Sequence, residues 1–328
     1  MKYSIITPVY NRQDCIGRCI DSVIYNIKYN IEIEHIIVDD GSFDATASIV
    51  KSYSEQYKHI KFIQFRKNRG TNAARNTAIS VATGKWIIIL DSDDYVVDNA
   101  IEIIDTVVSN NKYKEYMFAA DDMLEIYNKT PLLTGKSQVV LKYKDFLAED
   151  VKGDFIHVID SEIMKRNPFN ENLRIYEFVW FLTFYKESQE ILFTDKVVTI
   201  RERSRTDSVT REVIRTNKKN VERNFLANCE ILSRFKDEYI KYGLYEQLAF
   251  YINSKIENAL LISKYQAIKD DINSNYVHGL KGYIYKLIYI FHLGAMFRIL
   301  LQWYLNVKYN IVCLLYTSPS PRDSTSSR

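Results

Sequence analysis

The sequence predicts an α/β fold in which a mostly parallel sheet is flanked by helices and followed by a helical extension. Short apolar runs alternate with helical patterns through the first hundred residues, as they do in βαβ units. From about residue 216 to residue 274 the pattern is helical. Hydrophobic residues make up 47% of the 328 residues and charged residues 26%, which is ordinary for a folded globular protein. We therefore expect one large domain or two smaller ones, each with an apolar core.

Four strands and three helices are predicted in alternation over the first ninety residues. Each helical stretch has one apolar face, and Asp44 and Thr71 stand where they can cap the second and third helices. Because the strands alternate with helices, we expect them to run parallel. Strands are predicted near residues 3–7, 33–38, 60–65 and 86–90, with helices around residues 15–23, 47–53 and 73–81.

Beyond residue 98 the predicted elements become shorter and more mixed. A helix near residues 99–110 and a strand at residues 116–120 begin an α/β extension that we expect to complete a cleft. Helices with apolar stripes follow over residues 216–274. The predicted organisation is an α/β domain at residues 1–210, a helical extension at 211–316 and a tail at 317–328.

The net charge and the cysteine content make some classes of protein unexpected for this chain. The net charge of +3 is small, and the Lys and Arg residues are spread along the chain, so nucleic acid is not an expected partner. Four cysteines without a Cys-x-x-Cys pair indicate a reduced, cytoplasmic protein. Only Lys2 precedes the first strand and Pro8 follows soon after, so we expect no signal peptide.

Residues 282–315 form an apolar and aromatic segment that four basic residues interrupt. No uncharged apolar stretch reaches the roughly 18 to 20 residues that a membrane-spanning helix needs. We expect helices that lie in a membrane interface, and the alternative is that they pack against the rest of the chain. Residues 317–328 are rich in Ser and Pro, resemble a translated cloning adapter, and are expected to be disordered and non-native. The interrupting residues are Lys286, His292, Arg298 and Lys308.

An acidic cluster, Asp91-Ser92-Asp93-Asp94, follows the apolar run that ends at Leu90. Ligands bind beyond the carboxyl ends of strands in open α/β sheets. Mg²⁺ favours one or two carboxylates, with substrate phosphates and water as its remaining ligands. The cluster therefore predicts a site for a metal and a diphosphate, and the alternative is an Asp-rich turn that merely ends a strand.

Three further polar loops are predicted at the same sheet edge, because parallel strands place their carboxyl ends together. In these loops Asp39 can accept a hydrogen bond from a nucleobase N–H, Tyr10 can present an aromatic face to the base, and Arg75 can bond a phosphate. The chain has neither a P-loop nor a dinucleotide-binding glycine motif. The three loops are residues 7–12, 38–42 and 69–76.

The four motifs in register resemble the nucleotide-binding half of a family 2 glycosyltransferase with the GT-A fold, over about residues 1–210. The resemblance implies a nucleotide-sugar donor, with a UDP-sugar favoured, and Mn²⁺ or Mg²⁺ as cofactor. It implies a base contact for Asp39, a nucleotide contact for Arg75, ribose or metal for Asp91, and metal for Asp93. The matching motifs are Thr7-Pro8-Val9-Tyr10-Asn11, Val38-Asp39-Asp40-Gly41-Ser42, Asn68-Arg69-Gly70 with Ala74-Arg75-Asn76, and Leu90-Asp91-Ser92-Asp93-Asp94. The expected nucleotide-sugar-binding residues are Pro8, Tyr10, Asn11, Asp39, Arg75, Asp91 and Ser92.

Such enzymes typically invert the anomeric carbon and need one catalytic base, and the matching position in this chain is Glu177. Phe178 departs from the acidic pair that is common in the family. Alternatives are that Glu177 only stabilises a helix amino terminus, or that Asp154 or Asp160 is the base. His157 and Trp180 are either ligand contacts or core residues.

Basic residues that follow the last predicted strand of this region can close over a diphosphate, or they can form a solvated linker. These are Arg201, Arg203, Arg205 and Arg211.

The expected activity is sugar transfer to a saccharide or lipid-linked saccharide on the inner face of the cytoplasmic membrane, in surface polysaccharide or glycoconjugate synthesis. The alternatives are a non-catalytic nucleotide-sugar-binding scaffold and a phosphoacceptor signalling module. The latter needs an Asp at the end of the third strand, where this chain has Phe65-Arg66-Lys67.

Overall fold

The computed structural model describes residues 2–27, 31–173, 176–202, 218–301 and 303–304. The chain divides into two compact units, residues 1–209 and residues 210–328. The point of division falls at residues 203–217, which lie outside the described residues.

The first unit begins with strands and helices in strict alternation, as the sequence predicts. Each of the four predicted strands and three predicted helices is present, with ends that differ by a few residues at most. The order is β1 (Tyr3–Val9), α1 (Ile16–Tyr25), β2 (Ile33–Asp39), α2 (Thr46–Gln56), β3 (Ile60–Gln64), α3 (Thr71–Val81) and β4 (Trp86–Ile89).

Shorter elements complete the first unit, with a brief 3₁₀ helix at Asp121–Met123. They include the predicted helix near residue 100 and the predicted strand at Tyr116. The order is β5 (Tyr95–Val96), α4 (Ala100–Val108), β6 (Glu115–Ala120), α5 (Leu124–Lys129), β7 (Gln138–Lys142), α6 (Tyr143–Leu147), β8 (Phe155–Asp160), α7 (Ser161–Arg166), α8 (Phe178–Ser188) and β9 (Glu190–Ile200).

One sheet runs through the unit in the order β3-β2-β1-β4-β8-β6-β9-β5, and β7 also pairs with β9. The first four strands are parallel, which confirms the prediction for that half. The second half is mixed, because β8 lies antiparallel to both β4 and β6 while β6 and β9 are parallel. The chain moves outward from β1 to β3 and then returns to the other side of β1 as β4, so the strand order switches between β1 and β4.

Helix α1 packs on the sheet through the apolar face that the sequence predicts, and Cys15, Cys19 and Val23 on that face are buried. Asp44 accepts a hydrogen bond at 3.0 Å from the backbone N–H of Thr46, the first residue of α2, although Ala45 and not Asp44 occupies the cap position. The prediction that Thr71 caps α3 is wrong. Gly70 occupies the cap position with a φ of 101°, and Thr71 is the first helical residue.

A buried carboxylate joins the two central strands to the segment before β4. Glu34 in β2 is 1% exposed and accepts hydrogen bonds from the Ser4 hydroxyl at 2.6 Å and from the Thr83 backbone N–H at 2.6 Å. Lys61 in β3 forms an ion pair with it at 2.6 Å. Burial raises the pKa of Glu34, but the bonds from Lys61, Ser4 and Thr83 outweigh burial and lower that pKa to about 2.

Gly84 lies where two backbone segments approach closely. A Cβ atom at this position would stand 2.6 Å from the Ser4 backbone nitrogen, closer than real Cβ contacts allow. The Gly84 N–H donates to the Ser4 hydroxyl at 2.8 Å. Only glycine therefore fits beside β1 at this point.

The second unit is helical in the described residues, in agreement with the sequence pattern. It contains α9 (Lys218–Lys241), α10 (Tyr245–Leu261) and α11 (Gly279–Ile290), and residues 294–301 and 303–304 are also helical. Gly294 contacts α10 so closely that a Cβ would overlap the Leu260 carbonyl oxygen. In the part of the chain that the structure describes, no helix is both long and apolar enough to cross a bilayer. The predicted tail at residues 317–328 lies outside that part.

Candidate active site

The predicted polar loops meet at the carboxyl edge of the parallel strands, beside the switch in strand order between β1 and β4. Such switch points are the usual ligand crevices of open α/β sheets. The Asp40 backbone N–H donates to the Val9 carbonyl at 2.8 Å, and the Asn11 backbone N–H donates to the Ser42 hydroxyl at 2.8 Å. The loops that follow β1 and β2 are therefore bonded directly to each other.

Residues at the end of β1 occupy different environments. Pro8 is buried within β1 opposite Val38, because the strand continues two residues past the predicted end. Tyr10 and Asn11 follow the strand and are partly exposed. The Asn11 side chain accepts a hydrogen bond from the Phe43 backbone N–H at 3.1 Å, and its φ of 50° turns the chain back towards that loop.

An exposed aromatic pair stands beside this turn. The rings of Tyr10 and Phe43 meet edge to face with centroids 6.2 Å apart, and Phe43 is 84% exposed. An aromatic ring with so much exposed surface is suited to stack on a planar ligand.

Asp39 and Asp40 have separate structural tasks although they are adjacent. Asp39 accepts hydrogen bonds from the backbone N–H and the hydroxyl of Ser42 and is buried. Asp40 accepts from the backbone N–H groups of Arg69 at 2.6 Å and Gly70 at 2.8 Å. The two carboxylates thus fix their own loop and the loop before α3.

Gly41 permits this contact between the second and third loops. Its φ is 76°, and a Cβ would lie 2.7 Å from the Lys67 carbonyl carbon. A side chain at this position would push the two loops apart, so close packing requires a glycine here.

Arg75 lies at the centre of the site and bonds two carboxylates. One guanidinium nitrogen is 2.8 Å from Glu177 Oε1 and another is 3.1 Å from Asp91 Oδ1. Burial lowers the pKa of Arg75, but the charges of Asp91 and Glu177 outweigh burial and leave it raised. The side chain is 10% exposed, and its Nε has no hydrogen-bond partner among the residues that the structure describes. The motif predicts only a nucleotide contact for Arg75, and these two ion pairs are not evident from the sequence.

Helix α3 also holds the segment that leads to Glu177. The Asn76 side chain donates to the Phe169 carbonyl and accepts from the Phe169 backbone N–H, both at 2.8 Å. Asn72 donates to the carbonyl oxygens of Asn170 and Leu173. Sequence reasoning missed this role, although Asn72, Arg75 and Asn76 are spaced i, i+3 and i+4 and therefore share a helix face.

Glu177 stands at the amino terminus of α8, and its side chain makes no capping hydrogen bond to the helix. Its carboxylate bonds Arg75 instead, so the side chain does more than stabilise a helix end. Phe178 beside it is 40% exposed. Residues 174 and 175, which precede this turn, lie outside the described residues.

The acidic cluster after β4 combines exposed and buried carboxylates. Asp91 is 52% exposed in its side chain and Asp93 28%, and the Arg12 Nε lies 3.8 Å from Asp93 Oδ2. Ser92 is buried, and its carbonyl accepts from the Cys15 thiol. Burial first, and then the charges of Asp91 and Asp93, raise the pKa of Asp94 to about 7. Negative charge is therefore concentrated at this loop.

The carboxylates of the acidic cluster can bind a hard divalent cation only when a bound ligand supplies further oxygen atoms to the cation. In the described parts of the chain, no three His, Cys, Asp or Glu side chains form a group that can hold a metal. Asp91 and Asp93 supply carboxylate oxygens, and Mg²⁺ sites often consist of one or two carboxylates with substrate phosphates and water. The residues present fit a cation that binds together with a diphosphate.

The other base candidates are held in place by neighbouring groups. Asp160 accepts a hydrogen bond from the Glu162 backbone N–H at 3.0 Å and caps α7. Asp154 bonds Arg201 at 2.9 Å. Arg201 also bonds Asp122, while Arg203, Arg205 and Arg211 lie outside the described residues.

Two ambiguous aromatic residues are part of the core. His157 is 9% exposed, its Nδ1 is 3.0 Å from Glu115 Oε1, and its ring stacks on Phe181 with centroids 4.3 Å apart. Trp180 is 1% exposed and donates its indole N–H to the Pro168 carbonyl. Trp180 therefore offers no open surface on which a sugar ring can stack.

Residues 4–114 match the family model described as Glycosyl transferase family 2. This range contains β1 to β4, the first three loops and the acidic cluster. This region is therefore a family 2 glycosyltransferase domain. The matched range ends immediately before β6, so Glu177 lies outside it.

Two curated relatives of the chain have named reactions. The chain is 39% identical over 102 residues to the poly(ribitol-phosphate) beta-glucosyltransferase of Bacillus spizizenii, covering 31% of this chain but 16% of that protein. It is 27% identical over 241 residues to the GalNAc(5)-diNAcBac-PP-undecaprenol beta-1,3-glucosyltransferase of Campylobacter jejuni, covering 72% of this chain and 75% of that one. The chain thus spans a small part of the first relative and most of the second.

Solved structures confirm the GT-A fold that the motifs predict for this chain. S. aureus TarS 1-349 in complex with UDP-GlcNAc superposes with a TM-score of 0.63 at 19% identity, over 83% of this chain and 81% of that one. The central sheet flanked by helices is the shared architecture.

Proposed function

We propose that this family 2 glycosyltransferase transfers one sugar, with inversion, from a nucleotide-sugar to a saccharide or lipid-linked saccharide acceptor in surface polysaccharide or glycoconjugate synthesis. The observation that carries the proposal is the meeting of Arg75, Asp91 and Glu177 at one sheet edge. A UDP-sugar is the favoured donor, which the UDP-GlcNAc complex of the similar TarS structure supports. The undecaprenol-linked substrate named for the Campylobacter jejuni relative supports a lipid-linked acceptor.

The donor half of the proposed site comprises the loops that follow β1, β2 and β4, with the start of α3. Pro8, Asn11 and Ser92 shape these loops, and Tyr10 offers an aromatic face to the base. Asp39 accepts a hydrogen bond from the base N–H. The contacts within the loops hold these groups in place before the donor binds, which lowers the entropic cost of binding.

Asp93, together with Asp91, is proposed to hold Mn²⁺ or Mg²⁺ beside the diphosphate. The bound cation supplies positive charge that stabilises the departing nucleoside diphosphate. Both side chains are accessible to a cation, since Asp91 is 52% exposed and Asp93 is 28% exposed.

Glu177 is proposed as the base. A new bond forms between the acceptor oxygen and the anomeric carbon while the bond from that carbon to the diphosphate oxygen breaks, and the Glu177 carboxylate takes the acceptor proton. Arg75 bonds Oε1 and thereby orients the carboxylate, which leaves the second oxygen for the proton. Attack from the side opposite the leaving group inverts the anomeric carbon.

The test begins with a thermal-shift screen of UDP-, GDP- and dTDP-sugars, each with and without Mn²⁺. Donor turnover is then measured for Asp93→Ala and for Asp98→Ala, which removes the same charge from an exposed position beyond the cluster. We expect Asp93→Ala to abolish turnover and Asp98→Ala to retain it. Full activity of Asp93→Ala in EDTA would exclude the metal role, and donor binding without turnover in the unaltered chain would indicate a non-catalytic scaffold.

We also propose that the enzyme works at the inner face of the cytoplasmic membrane, as a lipid-linked acceptor requires.

A further inference from the structure

Helix α11 carries apolar residues on two opposite faces. Gly282, Tyr285 and Ile288 are buried within the second unit. On the other side, large apolar side chains recur at i, i+3, i+4, i+7 and i+11 and are 41% to 78% exposed. A surface helix normally presents polar residues to water on its outer face. The exposed side chains are Leu280, Tyr283, Ile284, Leu287 and Phe291.

The helical residues that follow α11 repeat this pattern. Large apolar side chains recur at i, i+3, i+4, i+7 and i+8 and are 52% to 66% exposed. They are Met296, Ile299, Leu300, Trp303 and Tyr304. We call the two rows together the apolar stripes. Ten large side chains exposed within 25 residues form a much denser apolar surface than the scattered single residues that are normal on soluble proteins.

The charged residues within the segment that carries the apolar stripes are all basic. The sequence contains no Asp or Glu between residues 272 and 304, whereas it contains Lys281, Lys286 and Arg298. Lys281 is 64% exposed in its side chain and reaches Glu257 on α10 at 3.1 Å. The segment is therefore cationic as well as apolar.

We propose that the apolar stripes dock on an anionic phospholipid bilayer, with both helices lying in the headgroup region. Helices of this kind bury an apolar face at the boundary of headgroups and acyl chains, and each nearby Lys or Arg adds attraction to anionic lipid. Tyr283, Trp303 and Tyr304 are of the aromatic types that favour that boundary. Within the described residues no helix can span a bilayer, so contact from one side fits the geometry.

Charge favours a bilayer over a second copy of this chain as the occupant. Two copies that met through the apolar stripes would bring Lys286 and Arg298 towards the same cations of the partner, without acidic residues in the segment to compensate them. An anionic lipid surface supplies the missing negative charge.

Docking brings the enzyme to the surface where a lipid-linked acceptor resides, and this consequence rests on the proposed function. The docking itself does not depend on the proposed function, because it involves residues outside the candidate active site. Vesicle binding can therefore be measured without any sugar donor.

The test is co-sedimentation of the full chain with vesicles of phosphatidylcholine alone and of phosphatidylcholine mixed with phosphatidylglycerol. The double variant Leu287→Ser/Ile299→Ser removes one exposed residue from each stripe. The double variant Leu226→Ser/Ile240→Ser removes two partly exposed aliphatic residues from α9 and is the matched control. Because burying a single Leu or Ile side chain changes a partition coefficient about tenfold or more, we expect the stripe variant to bind anionic vesicles at least about tenfold more weakly.

The wild type and the control should bind anionic vesicles more tightly than neutral ones, and added salt should weaken that binding. Donor thermal shifts that are equal in wild type and stripe variant would show that the variant is folded and would test the donor site separately. Failure of the wild type to sediment with anionic vesicles would overturn the proposal. An equal loss of vesicle binding in both double variants would also overturn it. The proposal would likewise fail if sedimentation velocity showed a dimer that the stripe substitutions abolish, while vesicle binding stayed unchanged.

Discussion

Arg75 connects the two sides of the candidate site through a single guanidinium. Its planar group bonds Glu177 and Asp91, which are separated by 86 positions in the sequence. A lysine in its place would offer a point charge without the fork geometry that bonds two carboxylates at once. The orientation of Glu177 therefore depends on a residue that belongs to the donor half.

Replacement of Glu177 by Gln should separate catalysis from binding. The Gln side chain keeps the shape and still accepts the hydrogen bond from Arg75 through its carbonyl oxygen, but it cannot take up the acceptor proton. We expect turnover to fall by about 10²–10⁴-fold while donor affinity is retained. Turnover is measured by release of nucleoside diphosphate, and affinity by calorimetry.

Glu171→Gln is the control for this prediction. Glu171 is 41% exposed in its side chain and pairs with the similarly exposed Arg69, and such surface pairs contribute little. Glu171→Gln should therefore leave turnover near the wild-type value. If Glu177→Gln and Glu171→Gln behave alike, the base must be sought at another carboxylate.

The position of a single residue could be predicted where a local sequence pattern determines it. It could not be predicted where the position depends on a partner that is distant in the sequence. Asp91 and Asp93 follow an apolar strand, so their position at the sheet edge could be read from their neighbours. The pairing of Arg75 with Glu177 could not be predicted from neighbouring residues, because it depends on how α8 packs near α3. The task of Asp40 was missed for the same reason, since its partners are backbone N–H groups of another loop.

At the scale of elements, hydrophobic periodicity predicted the first four strands and three helices, because each of them buries one face or both faces. The failure at Thr71 arose because Gly70 takes a positive φ and moves the start of α3 by one residue. The reversal of direction between β4 and β8 was also missed. Trp86 pairs with Asp160, and no local signal marks a partner so far along the chain.

Gly84→Ala should destabilise the first unit, because the added methyl group would meet the β1 backbone at Ser4. Overpacking of this kind costs about 1–3 kcal/mol, and here the obstructing atoms are backbone and cannot rotate away. Thermal and urea unfolding, followed by circular dichroism, measure the loss.

Gly17→Ala, within α1, should raise the stability of the first unit where Gly84→Ala lowers it. A Cβ at Gly17 would meet only the Tyr53 hydroxyl at an ordinary 3.6 Å, so the helix should gain about 0.5–1 kcal/mol from the better helix former. Equal stability of the two variants would contradict the close approach described for Gly84.

The stability of the molecule as a whole should depend on pH through Glu34. Its folded-state pKa of about 2 lies below the ordinary value of 4.5, so its contribution is fully present above pH 4.5. That contribution is lost as the pH falls from 4.5 towards 2, because the unfolded chain then binds the proton more readily. A shift of this size corresponds to a contribution on the order of 3 kcal/mol.

Glu34→Gln should therefore flatten the acid limb of the stability profile, measured as the urea midpoint between pH 6 and pH 2.5 at about one-unit intervals. Glu55→Gln is the control, because Glu55 is 68% exposed and pairs with an equally exposed lysine of its own helix. If the wild type and Glu34→Gln lose stability in parallel, other carboxylates must dominate acid unfolding.

For the whole molecule, the sequence predicted the GT-A fold and the position of the four polar loops at one sheet edge. Each of the four motifs follows a predicted strand. Parallel strands place such motifs at one edge of the sheet, whatever the order of the strands within it. The arrangement of the later strands could not be predicted in the same way, because β6 and β9 are parallel neighbours separated by four α-helices and two strands. The outward direction of the apolar stripes also required coordinates, since a buried helix and an interfacial helix show similar composition.

The position of β4 within the sheet has a consequence for synthesis on the ribosome. β4 pairs with β1 on one side and with β8 on the other, and β8 is translated some 66 residues later. Until those residues emerge, the nascent chain presents Trp86-Ile87-Ile88-Ile89 as an open apolar edge that can recruit other strands. This interval of translation is therefore when the polypeptide most needs a chaperone.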